Sequence, residues 1–371
     1  MKIYYVANAR MPNEKAHGIQ MAKMCEALVE SGVDLTLLVS NRGSGSLKQF
    51  YGLTCEIPTR RLPVVDLQFF GPIGYRVTAL QFIIRVLLYL FVRLFKDKMF
   101  VVYTIDMDSF SFAPLICIPR PVFAEMHSVK KVNFLTRTFF KRAKIIATNQ
   151  PIADDLSKEF NISPHGISVE PNGVDEAALR DFISQQDARR KLNLPLDKSF
   201  ALYVGRFYKW KGMEILADAA TDSILPIYVV GGGRDEYESV TGRSGERLHF
   251  VGGRPTYEIV SWLAAADVLI VLGTANNKES YSYTSPMKIF EYLAAGRPTV
   301  SSRTPAVMSI LREGVTFWYE PDNAQSLGKT ISLAYTSPES KAKVQKGREL
   351  TERHTWRKRT ERILNFIKYG N

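Results

Sequence analysis

The chain has 371 residues, too many for one ordinary hydrophobic core, so two domains are expected. Apolar residues make up 46% and charged residues 23%, a balance that excludes a disordered or low-complexity protein. A formal net charge of +12 points to an anionic partner without choosing among a phosphate-bearing substrate, an anionic membrane and a nucleic acid.

The first residues, "KIYYVAN", read as a strand, without the long apolar stretch of a signal peptide. Cys25, Cys55 and Cys117 have neither metal-ligand nor disulfide-framework spacing. Both features point to the reducing cytoplasm. Next come an amphipathic helix, "GIQMAKMCEALVESG", and a strand, "VDLTLLVS", which together make a βαβ unit.

The most apolar segment is Ala79 to Phe95, 17 residues interrupted by Arg85 and Arg93. A spanning helix needs roughly 20 mostly uncharged residues, which argues against a transmembrane span. Gln81, Arg85, Tyr89 and Arg93 recur every four residues and make one narrow polar stripe. The first reading is a helix buried in the domain; its rival is a helix on an anionic membrane with its arginines at headgroup level. Between Arg76 and Lys144 lie twelve Lys or Arg against four acids, so the basic excess belongs to the first half. A solvated basic surface of no special role is the alternative to an anionic partner there.

Strands follow at "MFVVYTID", "RPVFAEMH", "KIIATN" and "ISVEPN", with helical stretches between them, the pattern of a doubly wound parallel sheet. From "EPNGVDEAALRDFISQQDARRKLNLPLDKS" the register breaks into turn signals and a polar amphipathic helix, which marks a domain boundary. The second half repeats the alternation, with strands at "FALYVGR", "PIYVVGGG", "LHFVGG", "DVLIVLG" and "PTVSS" and helices at "GMEILADAA", "TYEIVSWLAAA" and "SPMKIFEYLAAG". Two such sheets leave a cleft at the carboxyl ends of their strands.

In the last of those helices Ser285 is an N-cap, Pro286 a first helical residue and Gly296 a stop. Free amides near Met287 and Lys288 would then meet a phosphate, with the Lys288 charge beside them. Glu291, about one and a half turns further on, could accept hydrogen bonds from a sugar diol. On this stretch alone an ordinary capped helix with a satisfied core glutamate reads equally well. "YVGRFYKWKG" puts Arg206 directly after a strand and Lys211 at a turn, where two cations can converge on a diphosphate. Gly231, Gly232 and Gly233 follow another strand and permit close backbone approach. His127 ends the strand "FAEMHS"; a lone histidine is more often structural than catalytic.

Taken together, "PNGVD" at 171–175, "YVGRFYKWKG" at 203–212, "VVGGG" at 229–233, "AADVLIVL" at 265–272 and "SPMKIFEYLAAGRPTV" at 285–300 resemble family 4 of the retaining glycosyltransferases. The N-terminal half resembles it more loosely, through "YYVANARMPNEKAHGIQMAKMCEAL", "EMHS" and "IATNQPIADDL". The resemblance implies an α/β GT-B fold. Residues 1–170 would form an acceptor-binding Rossmann-like domain, 171–354 a donor-binding one, and 355–371 a helix that returns to the first.

It further implies that Arg206 and Lys211 clamp the donor diphosphate and stabilise the leaving nucleotide. Glu291 would hold the ribose hydroxyls, while Ser285, Met287 and Lys288 meet the phosphates through the helix start. Gly18, Gly205 and Gly232 would line the donor, and His127 would lie beside the transferred sugar without being the general base. The expected reaction moves a sugar from a nucleoside-diphosphate donor to a glycan or lipid-linked acceptor in polysaccharide or glycolipid biosynthesis. The expected place is the cytoplasm, at the inner face of an anionic membrane.

Two positions depart from the family pattern. Tyr283 stands where a second glutamate is frequent, and Lys15 and Ala16 stand where paired glycines are, with Gly18 the nearest glycine. Asp106 and Asp108 imitate a metal-binding aspartate pair, but Arg206 and Lys211 would supply a metal's charge, so no metal and no separate cofactor is expected. A sugar-nucleotide epimerase and an inactive nucleotide-sugar-binding protein, the latter suggested by Tyr283, are the alternatives. No nucleic-acid reader motif is present in the sequence.

Overall fold

The computed structural model describes residues 1–180 and 183–370. The chain divides into two compact units, one formed by Met1–Pro171 with the segment from Trp356 onward, the other by Asn172–Thr355. Of the linker read as a polar amphipathic helix, Asp181 and Phe182 lie outside the described residues; around them the chain is helical over Glu176–Arg180 and Gln185–Lys191.

The first unit is built on seven strands: β1 (Lys2–Ala7), β2 (Asp34–Ser40), β3 (Thr59–Leu62), β4 (Val101–Ile105), β5 (Val122–Met126), β6 (Lys144–Ala147) and β7 (Ile167–Val169). Their order is β3-β2-β1-β4-β5-β6-β7, and every pairing is parallel. Parallel sheets are covered on both faces, which is why β1, β4 and β5 are buried almost continuously rather than at alternate residues. One face packs Ile3, Tyr5, Leu37 and Val39 against Met21, Cys25 and Leu28 of the helix Ala16–Glu30. Ile363, Leu364 and Ile367 of the C-terminal helix Trp356–Tyr369 join the same core, so the end of the chain completes the first unit.

The second unit has six strands: β8 (Ala201–Val204), β9 (Ile227–Val230), β10 (Leu248–Gly252), β11 (Val268–Val271), β12 (Thr299–Ser302) and β13 (Phe317–Tyr319). The order is β10-β9-β8-β11-β12-β13, again all parallel. Alternate residues of β8 feed opposite cores. Leu202 and Val204 pack on one side with Phe290 and Leu293, and Ala201 and Tyr203 on the other with Leu216 and Ile331.

In each sheet the strand order reverses once, between β1 and β4 and between β8 and β11. Open α/β sheets bind ligands beyond the carboxyl ends of strands at such reversals. The residues that follow β8 and β11 are therefore the first place to look in the second unit, and those that follow β1, β4 and β5 in the first.

The helix expected around Ala79–Phe95 is longer, Gly71–Lys96, and it is not a buried rod. Phe82, Ile83, Val86 and Leu90 are at most 1% exposed, whereas Leu80 is 55% and Leu88 62% exposed. The polar stripe faces neither the core nor open water along its whole length. Gln81 accepts a hydrogen bond from the amide of Val65, and the Arg93 guanidinium sits 4.9 Å from the Tyr89 ring.

Candidate active site

In the second unit Arg206 follows β8 directly after Gly205. Lys211 sits in a single 3-10 turn, Lys209–Lys211, ended by Gly212 in the left-handed region. That turn folds back on its own strand end, so the Lys211 ammonium donates to the carbonyl of Arg206 at 3.0 Å. It also lies 4.8 Å from the Tyr208 ring. Lys288 approaches the same strand end and donates to the carbonyl of Val204 at 2.8 Å. Three cations thus meet at the carboxyl end of β8. Burial, reinforced by the charges of Lys288 and Arg206, brings Lys211 down to about 7. Burial also lowers Lys288, to about 8, with Glu291 opposing the shift and Arg206 adding to it. Two lysines with depressed basicity at one strand end mark a buried cluster of cations.

Glycine is required beneath these cations. A Cβ on Gly205 would stand 2.6 Å from the Tyr203 hydroxyl and 3.0 Å from the Lys288 ammonium. Gly231, at φ +136°, brings its Cα against the Gly205 carbonyl, where a Cβ would be 2.1 Å from the oxygen. The expected Gly232 is buried beside the Phe207 ring and the Glu236 carboxylate, while the contact with the end of β8 is made by Gly231.

The "SPMKIFEYLAAG" stretch departs from the expected cap. The α-helix is Lys288–Ala294, and Ser285 does not cap it. The amides of Ile289 and Phe290 bond to the carbonyls of Pro286 and Met287, so the entry is a tightened turn of the 3-10 kind that needs no side-chain cap. Met287 already has helical dihedrals within that turn. The Ser285 carbonyl accepts from Asn172 Nδ2 at 2.8 Å, while its buried hydroxyl has no hydrogen-bond partner among the described residues. Glu291 is half-buried one turn along; burial raises its carboxyl, Lys288 opposes that and Asp175 adds to it. Asn172 and Asp175 both come from "PNGVD", so that segment contributes to this site, a role that spacing alone did not reveal.

In the first unit His127 follows β5, and its Nε2 lies 3.1 Å from Glu125 Oε1. Glu125 has no exposed surface and gathers four partners: His127, Gln20 at 2.5 Å, the Tyr103 hydroxyl, and Arg359 from the C-terminal helix at 2.9 Å. Burial alone would raise its carboxyl, but Arg359, with His127 and Tyr103, holds it at about 2. A carboxylate only accepts hydrogen bonds, so the proton of the His127 ring is assigned to Nε2, which leaves Nδ1 as an acceptor in the neutral ring.

His17, in the first turn of Ala16–Glu30, lies near enough to be depressed by His127 after burial and Lys15. Nothing in its local spacing marked it. Gly18 is buried for packing: a Cβ would meet the Tyr51 hydroxyl at 2.6 Å and the Asn13 amide at 2.7 Å. Asp106 accepts from the amide of Ser128 and pairs with Lys130 at 3.0 Å. Asp108 caps the turn Ser109–Phe112 and accepts from Tyr75. Tyr283 is 6% exposed in a single π-turn, with Lys278 5.1 Å from its ring.

Residues 198–337 match the model of the family described as Glycosyl transferases group 1. The chain carries a group 1 glycosyltransferase domain. That domain contains the whole Arg206, Lys211, Lys288 and Glu291 cluster. Among curated relatives, TuaC of Bacillus subtilis, a glycosyltransferase ascribed to teichuronic acid biosynthesis, is 27% identical over 203 residues, 52% of this chain and 48% of that protein. A phosphatidyl-myo-inositol mannosyltransferase of Propionibacterium freudenreichii is 25% identical over 267 residues, 66% of this chain and 64% of its own. The alignments with the first relatives thus span about half of their length. Among solved structures, Anabaena HepE in complex with UDP superposes with a TM-score of 0.71 at 17% identity, covering 99% of this chain and 100% of that one. With a parallel sheet in each unit, this likeness makes the fold GT-B.

Proposed function

We propose that the protein is a retaining, metal-independent glycosyltransferase that moves a sugar from a nucleoside-diphosphate donor to a glycan or lipid-linked acceptor. The observation that carries this reading is the convergence of Arg206, Lys211 and Lys288 at the end of β8, with both lysines depressed toward neutrality. A bound diphosphate would bring negative charge to this buried cationic cluster and favour the ammonium form of both lysines. The UDP complex of HepE and the relative named for a phosphatidyl-myo-inositol acceptor support the donor and acceptor classes.

In this reading Arg206 and Lys211 hold the diphosphate and stabilise the charge that grows on the leaving phosphate oxygen as the bond to the sugar breaks. Lys288, bound to the strand carbonyl at rest, turns toward the phosphate, and the entry turn at Ser285 and Met287 frames it. Glu291 accepts hydrogen bonds from the ribose diol. His127 accepts a hydrogen bond from a sugar hydroxyl at Nδ1, since Nε2 is committed to Glu125. It orients the sugar and is not the general base. The work is done in the cytoplasm.

Calorimetric titration with nucleoside diphosphates and their sugars, starting from UDP, tests the reading. Lys211→Ala should weaken the best nucleotide at least about tenfold, the usual worth of a charge-assisted contact. Binding of no nucleotide, or binding indifferent to Lys211, would overturn it. Transfer should persist in the presence of a chelator; loss that Mn²⁺ restores would overturn metal independence.

A further inference from the structure

We propose that the outward face of the helix Gly71–Lys96 lies in the surface of an anionic lipid bilayer, with the helix axis in the membrane plane. Ile73, Val77, Leu80, Ile84, Leu88 and Phe91 are all exposed and recur three or four residues apart. At 100° per residue they fall within about 40° of one line, on the side opposite the buried Phe82 and Val86. Phe95, 91% exposed, extends the stripe to a length of about 30 Å. Phe69 and Phe70, 76% and 65% exposed, stand just before its start. Soluble proteins scatter single apolar residues over their surface, whereas a continuous stripe of this length marks a contact.

The charges around the stripe select the occupant. The helix holds Arg76, Arg85, Arg93 and Lys96 and no acid. Arg76 and Arg85 are exposed, about 80° to one side of the stripe and about 100° to the other, where long side chains can reach headgroup phosphates while their stems lie along the apolar boundary. Arg93 is turned toward Tyr89 and takes no part. A second copy docked on this face about a twofold axis would set basic rims against basic rims, with no acid on either helix to meet them. An anionic bilayer meets both the apolar stripe and its cationic edges.

The stretch is long and apolar enough to cross a bilayer by length and composition. Its inner face is nevertheless built into the first unit, with Ala79, Phe82, Ile83, Val86 and Leu90 at most 1% exposed. Crossing would strip those side chains from the core and carry Arg85 through hydrocarbon. The arrangement fits a helix lying in the interface.

The proposal concerns the first unit alone and does not depend on the glycosyl-transfer reading. The whole protein is floated with vesicles of phosphatidylcholine containing about a third phosphatidylglycerol, and with phosphatidylcholine alone, at low salt. Binding to the anionic vesicles is expected, lost at high salt. Leu80→Ser with Leu88→Ser, and separately Arg76→Gln with Arg85→Gln, should each weaken it about tenfold or more. Thermal unfolding and nucleotide affinity should stay unchanged, because the altered side chains touch neither core nor site. In Ile84→Trp, fluorescence should shift to the blue on vesicles and be quenched by lipids brominated on their acyl chains. Three results would overturn the proposal: no flotation with anionic vesicles, flotation indifferent to both double variants, or self-association that the serine variant abolishes while no vesicle is bound.

Discussion

The Arg359 guanidinium, on the C-terminal helix, lies 2.9 Å from the Glu125 carboxylate at the end of β5, and neither side chain has exposed surface. Arg359 also donates to the carbonyls of Glu170 and Pro171. The last helix is thereby bound to the sheet through a buried ion pair as well as through Ile363 and Ile367. Removing one partner of such a pair strands the other. Arg359→Met should therefore cost about 3–5 kcal/mol in chemical denaturation. Adding Glu125→Gln to it should recover part of that loss, since the stranded charge is gone; a double variant as unstable as the sum of the two singles would show that charge is not the cause.

The same pair fixes a pH dependence. The folded carboxyl of Glu125 is held at about 2, below its ordinary 4.5, so the folded state binds its proton less readily than the unfolded state does. Its contribution is fully present above about 4.5 and is lost as pH falls toward about 2. In Glu125→Gln, the fall in stability across that window should be shallower than in the parent protein. Equal slopes in urea titrations at stepped pH would contradict the assignment.

Glu125 should also act on the chemistry through His127. The hydrogen bond at 3.1 Å holds the ring proton on Nε2. With glutamine at 125 the amide can present either its oxygen or its nitrogen, and the tautomer is no longer fixed. The expected outcome is a kcat about tenfold lower or worse with donor affinity within about twofold of the parent, a split expected when only orientation at the reacting sugar is lost. Nitrogen chemical shifts of His127 should move from a single tautomer to a mixture. A rise in KM at constant kcat would place the effect elsewhere.

Lys211 gives a sign that calorimetry can read. It is brought down to about 7 in the empty site, first by burial and then by Lys288 and Arg206. A diphosphate favours the ammonium, so at pH 7.5 binding should draw in up to about three quarters of a proton. Titrations of a nucleoside diphosphate in buffers of different ionisation enthalpy measure that number. Affinity should fall as pH rises above about 7, because more of the free protein must be protonated to bind. Proton release, or uptake undiminished in Lys211→Ala, would remove Lys211 from the phosphate.

Apolar strands and the glycines after them were legible because a doubly covered parallel sheet leaves continuous apolar runs. β3 and β13 escaped notice for the same reason: they are short edge strands, and Arg60 and Arg61 make β3 resemble a basic loop. Cations after β8 could be read from their position alone. The entry to Lys288–Ala294 could not, because Ser285 has the residue type of a cap while its carbonyl is tied by Asn172, 113 residues earlier. Glu125 could not be read as a partner of His127, since the cation that keeps it ionised, Arg359, comes from the far end of the chain. The two-faced helix Gly71–Lys96 was misread because composition cannot say which of two apolar faces the core takes.

The triple glycine after β9 offers a contrast within three residues. Gly231 adopts φ +136° and presses on the Gly205 carbonyl, whereas a Cβ on Gly233 meets nothing within 4 Å. Gly231→Ala combines an unfavourable dihedral with a backbone clash, so it should lose about 2 kcal/mol or more in stability. The Gly205 and Arg206 backbone would have to move away, and nucleotide affinity should fall with it. Gly233→Ala should stay within about 1 kcal/mol of the parent and bind nucleotide normally, its only change being at the start of the helix Arg234–Thr241. Denaturation and titration of the two variants side by side check both halves. Equal behaviour would mean that the approach of Gly231 to Gly205 does not shape the cationic site.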